Sequence, residues 1–455
     1  MTKSVELLIV GAGPAGLSAA VRAHELGMRV LLADDQPAPG GQIWRAIERR
    51  ATKHFDAEDR KGLELVRRFR SLAIDYSPST EVWQIEPGFQ VFLRSSGTLS
   101  KVQANAVLLA CGAMERPAPF PGWTLPGVIT VGAGQIMLKS ANQIPQEPVW
   151  IAGSGPLALL YATQLLKAGG RIAGMLDTTP PNRNVWPTPA AALSATSDIL
   201  RGLGWLKTIR RAGIPIFRGV HDLRAEGDEK LSRITFVDAD NKHYAEDARL
   251  LMIHEGVVPR GHIASALGSE MVWNDDAASF APKIDAWGET SVAGLFVAGD
   301  GAGIAGAAAA CVSGKVAALG VAQMLNKGRK EDIQAERQRL AKEWNRLVAL
   351  RSFLDRRYRP ASAPIDDDMM VCRCENVTAG ELRDAVRGGA AGVNQVKAYT
   401  RCGMGPCQGR QCGYPAARIV SEQLNSTVAE TGLFRVRPPY RPITMGELAS
   451  IEDEG

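Results

Sequence analysis

The strongest constraint on the fold is a run of apolar residues that ends in closely spaced glycines. Val5-Glu6-Leu7-Leu8-Ile9-Val10 has the character of a buried parallel strand, and Gly11-Ala12-Gly13-Pro14-Ala15-Gly16 follows without a break. An alanine-rich helix is predicted from there to Gly27. Gly11 permits a tight turn, Gly13 lets a backbone approach a pyrophosphate, and Gly16 lets helix and strand pack closely. Pro14 and Ala15 open the helix, whose unpaired N–H groups and dipole favour negative charge. A second strand, Arg29–Ala33, runs into Asp34, placed to accept a hydrogen bond from an adenosine ribose, with Asp35 as the adjacent alternative. Strand, glycines, helix, second strand and acid fall in the order of a dinucleotide-binding unit.

Pro39-Gly40-Gly41-Gln42 follows, where Gly41 allows the backbone to lie flat against a ring and Gln42 can hydrogen-bond it. Far downstream, Leu295-Phe296-Val297-Ala298 is a buried strand that ends in Gly299-Asp300-Gly301. This resembles the second flavin signature of two-dinucleotide-domain flavoproteins, in which the aspartate matching Asp300 binds the ribityl chain. The two halves would serve one FAD and enclose an inserted domain. The insert has its own strand, Val149–Ala152, its own turn through Gly153, Ser154 and Gly155, and a helix to about Lys167. A further strand ends at Asp177, an acid that suits a free ribose 2′-OH and disfavours a 2′-phosphate. The insert lacks a Cys-x-x-Cys pair, which argues against a disulfide reductase. Cys111 and Cys311 stand alone and are expected to be small core residues.

Five of the seven cysteines lie between Cys372 and Cys412. Cys372-Arg373-Cys374 and Cys402-Gly403-Met404-Gly405-Pro406-Cys407 form two close pairs separated by twenty-seven residues. Thiolates at that density select an iron–sulfur cluster or zinc. Cys412 either is a spare thiol or replaces one of the four; the spacing is not that of a plant-type ferredoxin. Gly403, Gly405 and Pro406 keep the second loop tight, so that its amides can reach the sulfurs. Between the pairs, Thr378 is the expected N-cap of a helix to about Arg387, with Glu381 completing a capping box.

From Lys327 to Arg359 the chain carries eleven basic and five acidic residues, and Leu340, Trp344, Leu347 and Leu350 share a helical face. A connecting helix packed on its own protein is expected, with a partner-binding helix as the alternative. Pro360, Pro364 and Asp366-Asp367-Asp368 mark a boundary. With 45% hydrophobic residues, 22% charged residues and a formal charge of +5, the composition is that of a globular protein. There is no basic, aromatic-laced patch for nucleic acid. No secretion signal precedes the first strand, and no apolar run reaches a span of about 18 residues, so no transmembrane segment is expected. Clustered cysteines without a secretion signal point to a cytoplasmic setting and away from disulfides. The six histidines lie in no motif; His254 and His262 could border a flavin but are expected to be structural.

The cysteine segment, Val371-Cys372-Arg373-Cys374-Glu375 with Arg401 to Arg410, resembles the bacterioferritin-associated-ferredoxin-like [2Fe-2S] domain. The stretches Gly112–Pro117 and Pro121–Val128, with Arg437–Pro442 and Gly446–Ala449, narrow the match. Over nearly its full length the chain resembles the A (alpha) subunits of heteromeric amine or amino-acid dehydrogenases. That group includes opine oxidases, dye-linked proline and hydroxyproline dehydrogenases, and hydrogen cyanide synthase. The resemblance implies an α/β fold with one Rossmann-like dinucleotide domain inserted in another, followed by a small helical [2Fe-2S] domain. It implies residues 1–123 and 246–326 as the FAD domain, 124–245 as the insert, 327–365 as a linker helix, 366–425 as the cluster domain and 426–455 as a tail in subunit contact. Cluster ligands would be Cys372, Cys374, Cys402 and Cys407; FAD contacts would be Gly11, Gly13, Gly16, Asp34, Gln42 and Asp300. The C–N bond would be oxidised on a separate FAD-binding B subunit. Some members carry FMN at the A–B contact, and some carry a small third iron–sulfur subunit. The insert need not use NAD(H) in this group. The rival reading is a self-sufficient NADH-dependent flavin reductase feeding its own cluster, and a third is a scaffold subunit with structural nucleotides.

Overall fold

The computed structural model describes residues 3–50, 55–181, 185–360 and 363–451. Its first sheet is built on strand Lys3–Val10, which lies between Val30–Ala33 and Thr98–Leu109, both parallel to it. Asp75–Ser77 adds a parallel edge beside Val30–Ala33. Strand Thr98–Leu109 does two jobs. Its first half pairs antiparallel with Gln90–Ser95, which turns back to Thr80–Ile85; its last residues, Val107–Leu109, pair in parallel with Leu295–Val297. The burial pattern changes accordingly, from alternating to continuous, as the strand enters the sandwiched part of the sheet. The distant Leu295 strand thus returns to the sheet that holds Val5–Val10, and the two flavin-type signatures belong to one unit.

Helix Pro14–Glu25 lies against helix Ala307–Met324 on one face of this sheet, in the core with Leu7, Ile9, Leu17, Leu108 and Phe296. Contact is backbone-close. A Cβ on Gly314 would meet the Ala15 carbonyl oxygen at 2.1 Å, and one on Gly16 would meet the Gly11 oxygen at 1.9 Å. Ala307–Met324 corrects one expectation. It has 18 residues and a mean hydropathy of 1.4, enough in length and composition to span a membrane, yet 61% of it is buried inside this protein. Its apolar character belongs to a core helix.

The insert forms a second parallel sheet in the order Ile216–Arg218, Ile172–Asp177, Val149–Gly153, Leu251–His254, Val128–Thr130. Strand Leu251–His254 lies beyond residue 245, so the second sheet takes in residues assigned to the returning FAD half from sequence. An antiparallel meander, His221–Glu226, Arg233–Val237 and His243–Asp247, covers it with Trp150, Phe217, Phe236 and Tyr244. The chain crosses between the two nucleotide folds through a two-stranded ribbon, Ala113–Glu115 against Val257–Pro259.

Helices Lys330–Leu347 and Arg351–Arg357 follow. Ile333 and Leu340 are buried in the first core, and Trp344 and Leu347 pack against it. The connecting helix therefore spends its apolar face on its own protein. The cysteine domain is a compact group of helices, Ala379–Arg387, Val393–Thr400 and Gly413–Gln423, beside a small hairpin, Met370–Cys372 with Val377–Thr378. The Thr378–Glu381 capping box is present. The tail turns inward before it emerges. Phe434 enters the core of the cysteine domain, while Val436 and Tyr440 enter the far face of the first sheet. The Tyr440 N–H donates to the Trp83 carbonyl at 2.7 Å, Arg94 donates to the Pro442 carbonyl at 2.8 Å, and Arg441 donates to Asp35 at 3.2 Å. This stretch is an internal strap, whereas Met445 and Leu448 on the last short helix remain exposed.

Candidate functional site

Both glycine signatures of the first half meet at one place. The Gly40 N–H donates to the Ala12 carbonyl at 2.8 Å, and a Cβ on Gly41 would lie 2.8 Å from the Gly13 Cα. The segments carrying Gly13, Gly41 and Gln42 therefore close into one cradle with no room for side chains at its floor. Asp34 stands at the end of the second strand, 6% exposed. One carboxylate oxygen, Oδ2, has no hydrogen-bond partner. Burial, then the neighbouring Asp35 charge, pushes its pKa up to about 7, against the pull of the Gln36 and Ala12 amides. An unsatisfied buried acceptor at that position is what a ribose hydroxyl would fill, so the residues fit an adenosine ribose. Asp35 is tied to Gln36 and to Arg441 of the tail. Gln42 accepts from Arg45 at 3.0 Å. Asp300 Oδ1 accepts from the Ala305 and Gly306 amides at 2.9 and 3.0 Å, which shapes the turn into helix Ala307–Met324. The Gly299 N–H donates to the Ser313 hydroxyl.

These residues open into a cavity of ≈ 1220 Å³ that reaches all three parts of the molecule. Its walls include Gly13, Gln42 and Asp300 from the first fold, Ser154 and Gly155 from the insert, and Arg373, Cys374 and Arg410 from the cysteine domain. Docking residues that sequence reasoning had not singled out hold the cysteine domain at the cleft. The Trp123 indole donates to the Met370 carbonyl at 2.9 Å while the Arg373 guanidinium lies over its ring. Arg116 donates to the Ala277 and Ala278 carbonyls and lies over Tyr414, whose hydroxyl accepts from the Phe280 N–H. Arg116, Trp123 and Arg410 lie in stretches that carry the sequence resemblance, but their partners come from elsewhere in the chain.

The second glycine turn differs. Gly153 is packed against the His254 carbonyl, where a Cβ would come within 1.9 Å. Asp177 spends one oxygen on the Thr179 N–H, within its own loop. Glu255, which the sequence had not marked, sits beside it. Its Oε1 accepts from the Thr178 hydroxyl at 2.7 Å and its Oε2 is unpartnered. Burial raises its pKa, partly offset by that hydrogen bond and by His254 and Arg116, and Asp177 adds to the rise. Ser154 Oγ and Thr179 Oγ1 also lack partners. His254 is buried and bonded to Glu115 at 2.8 Å, the structural role expected of it. His262 borders the cavity, and burial, with Arg410 and Arg260, takes its pKa down to about 4. Cys111 and Cys311, expected as small core residues, are half-buried against the cores of the first fold; Cys111 also lines the cavity, and burial pushes its pKa up to about 11.

The cysteines come together in two groups. The Sγ atoms of Cys372, Cys402 and Cys412 lie within 4.8 Å of one another, all buried. Cys374 is exposed and faces Cys407 through that residue's amide and thiol. The Cys372 pKa is lowered, first by hydrogen bonds from the Cys402 and Cys412 thiols and then by the Gly403 and Glu375 amides. Phe434 occupies the space where a side chain on Gly403 or Gly409 would stand, which keeps this loop bare. Soft donors ringed by amides suit an iron–sulfur centre. The structure also places Cys412 beside two of the expected ligands, a neighbour that the two-pair pattern did not contain.

Residues 5–323 match the family model described as pyridine nucleotide-disulphide oxidoreductase, and the chain belongs to that flavoprotein family. Residues 367–451 match the sarcosine oxidase A3 domain. Within the family, the chain is 39% identical over 458 residues to the A chain of opine oxidase from Rhizobium meliloti (strain 1021), covering 98% of both. It is 33% identical to hydrogen cyanide synthase subunit HcnB of Pseudomonas aeruginosa, covering 98% of this chain and 99% of that one. L-proline dehydrogenase of P. horikoshii has the same fold, with a TM-score of 0.69 at 22% identity over 98% of this chain and 80% of that one. The A-subunit resemblance drawn from the sequence is borne out.

Proposed function

We propose that this chain is the electron-transfer subunit of a heteromeric oxidoreductase that oxidises the C–N bond of an amino acid or an N-substituted amino acid of opine, proline or hydroxyproline type. The observation that carries this reading is one cleft whose lining includes both the flavin-type cradle and Cys374. The relatives are named as subunits, which supports a catalytic FAD-binding partner. Gly11, Gly13, Gly16, Gly41, Gln42, Asp34 and Asp300 would hold FAD, and Cys372, Cys374, Cys402 and Cys407 a [2Fe-2S] cluster. Flavin supplies two-electron and one-electron chemistry when bound, and the cluster a one-electron acceptor. This chain's part is to orient both groups and limit their access to water. The exposed apolar residues Trp186, Leu193, Leu200 and Leu203 of the insert offer a surface for that partner. Reduced thiols of this kind go with a cytoplasmic setting.

The test is the complex purified with its partner and screened with opines, proline and hydroxyproline against a dye acceptor. Cys402→Ser should remove iron and the cluster's visible absorption and leave FAD bound, because the two sites lie in different domains. Zinc in place of iron and acid-labile sulfide would sink the electron-transfer reading of the cysteine domain.

A further inference from the structure

Two arginines in the cleft have no carboxylate to answer their charge. The Arg260 N–H donates to the Gly112 carbonyl at 3.0 Å, which sets this residue beside the Cys111 segment. That segment packs on the first glycine turn, where a Cβ on Gly11 would lie 3.6 Å from the Cys111 N. Arg260 is half-buried and lines the cavity, its Nε is buried without a partner, and among the described residues it has no ion pair. Arg410 reaches the same cavity from the cysteine domain, held by a donation to the Tyr440 carbonyl at 3.2 Å. Among the described residues no carboxylate pairs with it either.

Arg441, the third arginine at this place, differs. It pairs with Asp35 at 3.2 Å and approaches Glu81 at 3.9 Å. Arg260 and Arg410 remain as the unanswered pair. They share a neighbour, since both add to burial in lowering the pKa of His262, and Arg260 also bears on Arg410 with like charge. With its pKa down at about 4, His262 is neutral near pH 7 and adds no third charge. Half-buried like charges without a counter-ion disfavour each other, and an anion between them offsets both. The guanidinium fork matches the oxygens of a phosphate. The adjoining turn, Gly11 to Gly16, leads into the N-terminus of helix Pro14–Glu25, where the diphosphate of a dinucleotide is expected.

We propose that Arg260 and Arg410 clamp the diphosphate of the dinucleotide held in the first cradle, adding two cationic side chains to the amides of the glycine turn. The inference rests on the flavin reading above. Because Arg410 belongs to the cysteine domain, the phosphates become a counter-ion shared between two domains, and a filled cradle holds the cysteine domain at the cleft.

Nucleotide-free full-length protein tests this, with ADP and adenosine as probes. Arg260→Gln should weaken ADP binding about ten- to a hundredfold and leave adenosine binding unchanged, because only ADP carries the phosphates. Arg260→Lys, which keeps the charge without the fork, should lose less. Inorganic pyrophosphate should displace ADP from the parent. Thermal melts separate a clamp from a structural role. Without nucleotide, Arg260→Gln should melt at or above the parent, since one of two opposed charges is gone, while the rise produced by ADP should shrink. Arg410→Gln should behave in the same way. Unchanged ADP affinity in Arg260→Gln overturns the clamp, as does an equal loss of ADP and adenosine or a lower midpoint of the nucleotide-free variant. Unchanged ADP affinity in Arg410→Gln overturns the sharing between domains. A parent protein that binds neither FAD nor ADP removes the flavin reading itself, an outcome distinct from these.

Discussion

The two glycine turns are near copies in sequence and different in surroundings. At the first, the acid that should meet a ribose is buried with an oxygen unpartnered, and two glycine segments close around an empty floor. At the second, the corresponding acid is less deeply buried and gives one oxygen to its own loop, and a buried carboxyl, Glu255, stands next to it. A glycine turn favours phosphate through its amides and the helix dipole. The motif supplies the backbone, and its neighbours decide whether a nucleotide can use it.

The largest expected effect breaks the first turn outright. Gly16→Val would force a Cβ to within 1.9 Å of the Gly11 oxygen, between two backbones that cannot move apart cheaply. The cost should be on the order of 3–5 kcal/mol, seen as loss of FAD and a much lower thermal midpoint. A sharper contrast comes from the acids. Asp34→Ala should weaken FAD binding by about 1.5–3 kcal/mol, or roughly ten- to hundredfold. Asp177→Ala should leave FAD affinity unchanged, and equal effects in flavin titrations would erase the distinction between the turns.

Proton linkage separates them further. The Asp34 pKa rises from 3.8 to about 7 in the folded protein, so the folded state holds a proton there that the unfolded chain has lost. The stability of nucleotide-free protein from this group is therefore present at low pH and is lost as pH climbs through about 7. Ribose hydroxyls favour the ionised form, so FAD affinity should rise over the same range and level off above it. Asp34→Asn should flatten both profiles; a pH-independent wild-type titration would count against the assignment. The smallest expected effect is none at all. Anaerobic NADH should leave the flavin oxidised, while the partner subunit with its amino-acid substrate bleaches it. Rapid bleaching by NADH alone would revive the NADH-dependent reductase, the reading that the unpartnered Ser154 hydroxyl in the second turn favours.

Much of this was legible in the chain because the signals are local. Val5–Val10 with Gly11, Gly13 and Gly16 specifies a strand, a turn and a helix through neighbours within a few residues, and Thr378 with Glu381 caps a helix across one turn. The close spacing of Cys372 with Cys374 and of Cys402 with Cys407 announces a cluster of thiols in the same way. Strand Leu251–His254, the inward strap at Tyr440 and the docking of Arg373 on Trp123 carry no local signature. Their partners lie far away in sequence: Val149–Gly153 for the strand, Trp83 for the strap, and Trp123 itself for Arg373. Glu255 likewise looks like an ordinary acid until burial and Asp177 surround it.

Local pattern is enough where a conformation depends on i-to-i+4 hydrogen bonds, on glycine's lack of a Cβ, or on ligands a few residues apart. Which cysteine sulfurs meet, and how deeply an acid is buried, depend on packing among segments that the chain brings together only on folding. Burial removes water as the competing partner, so a carboxyl or thiol acquires its character from whatever long-range neighbour replaces the solvent. Asp34 and Asp177 end their strands in the same local pattern, and Cys412 stands as near to Cys407 in sequence as Cys402 does. Their different surroundings arise from the segments that close over them.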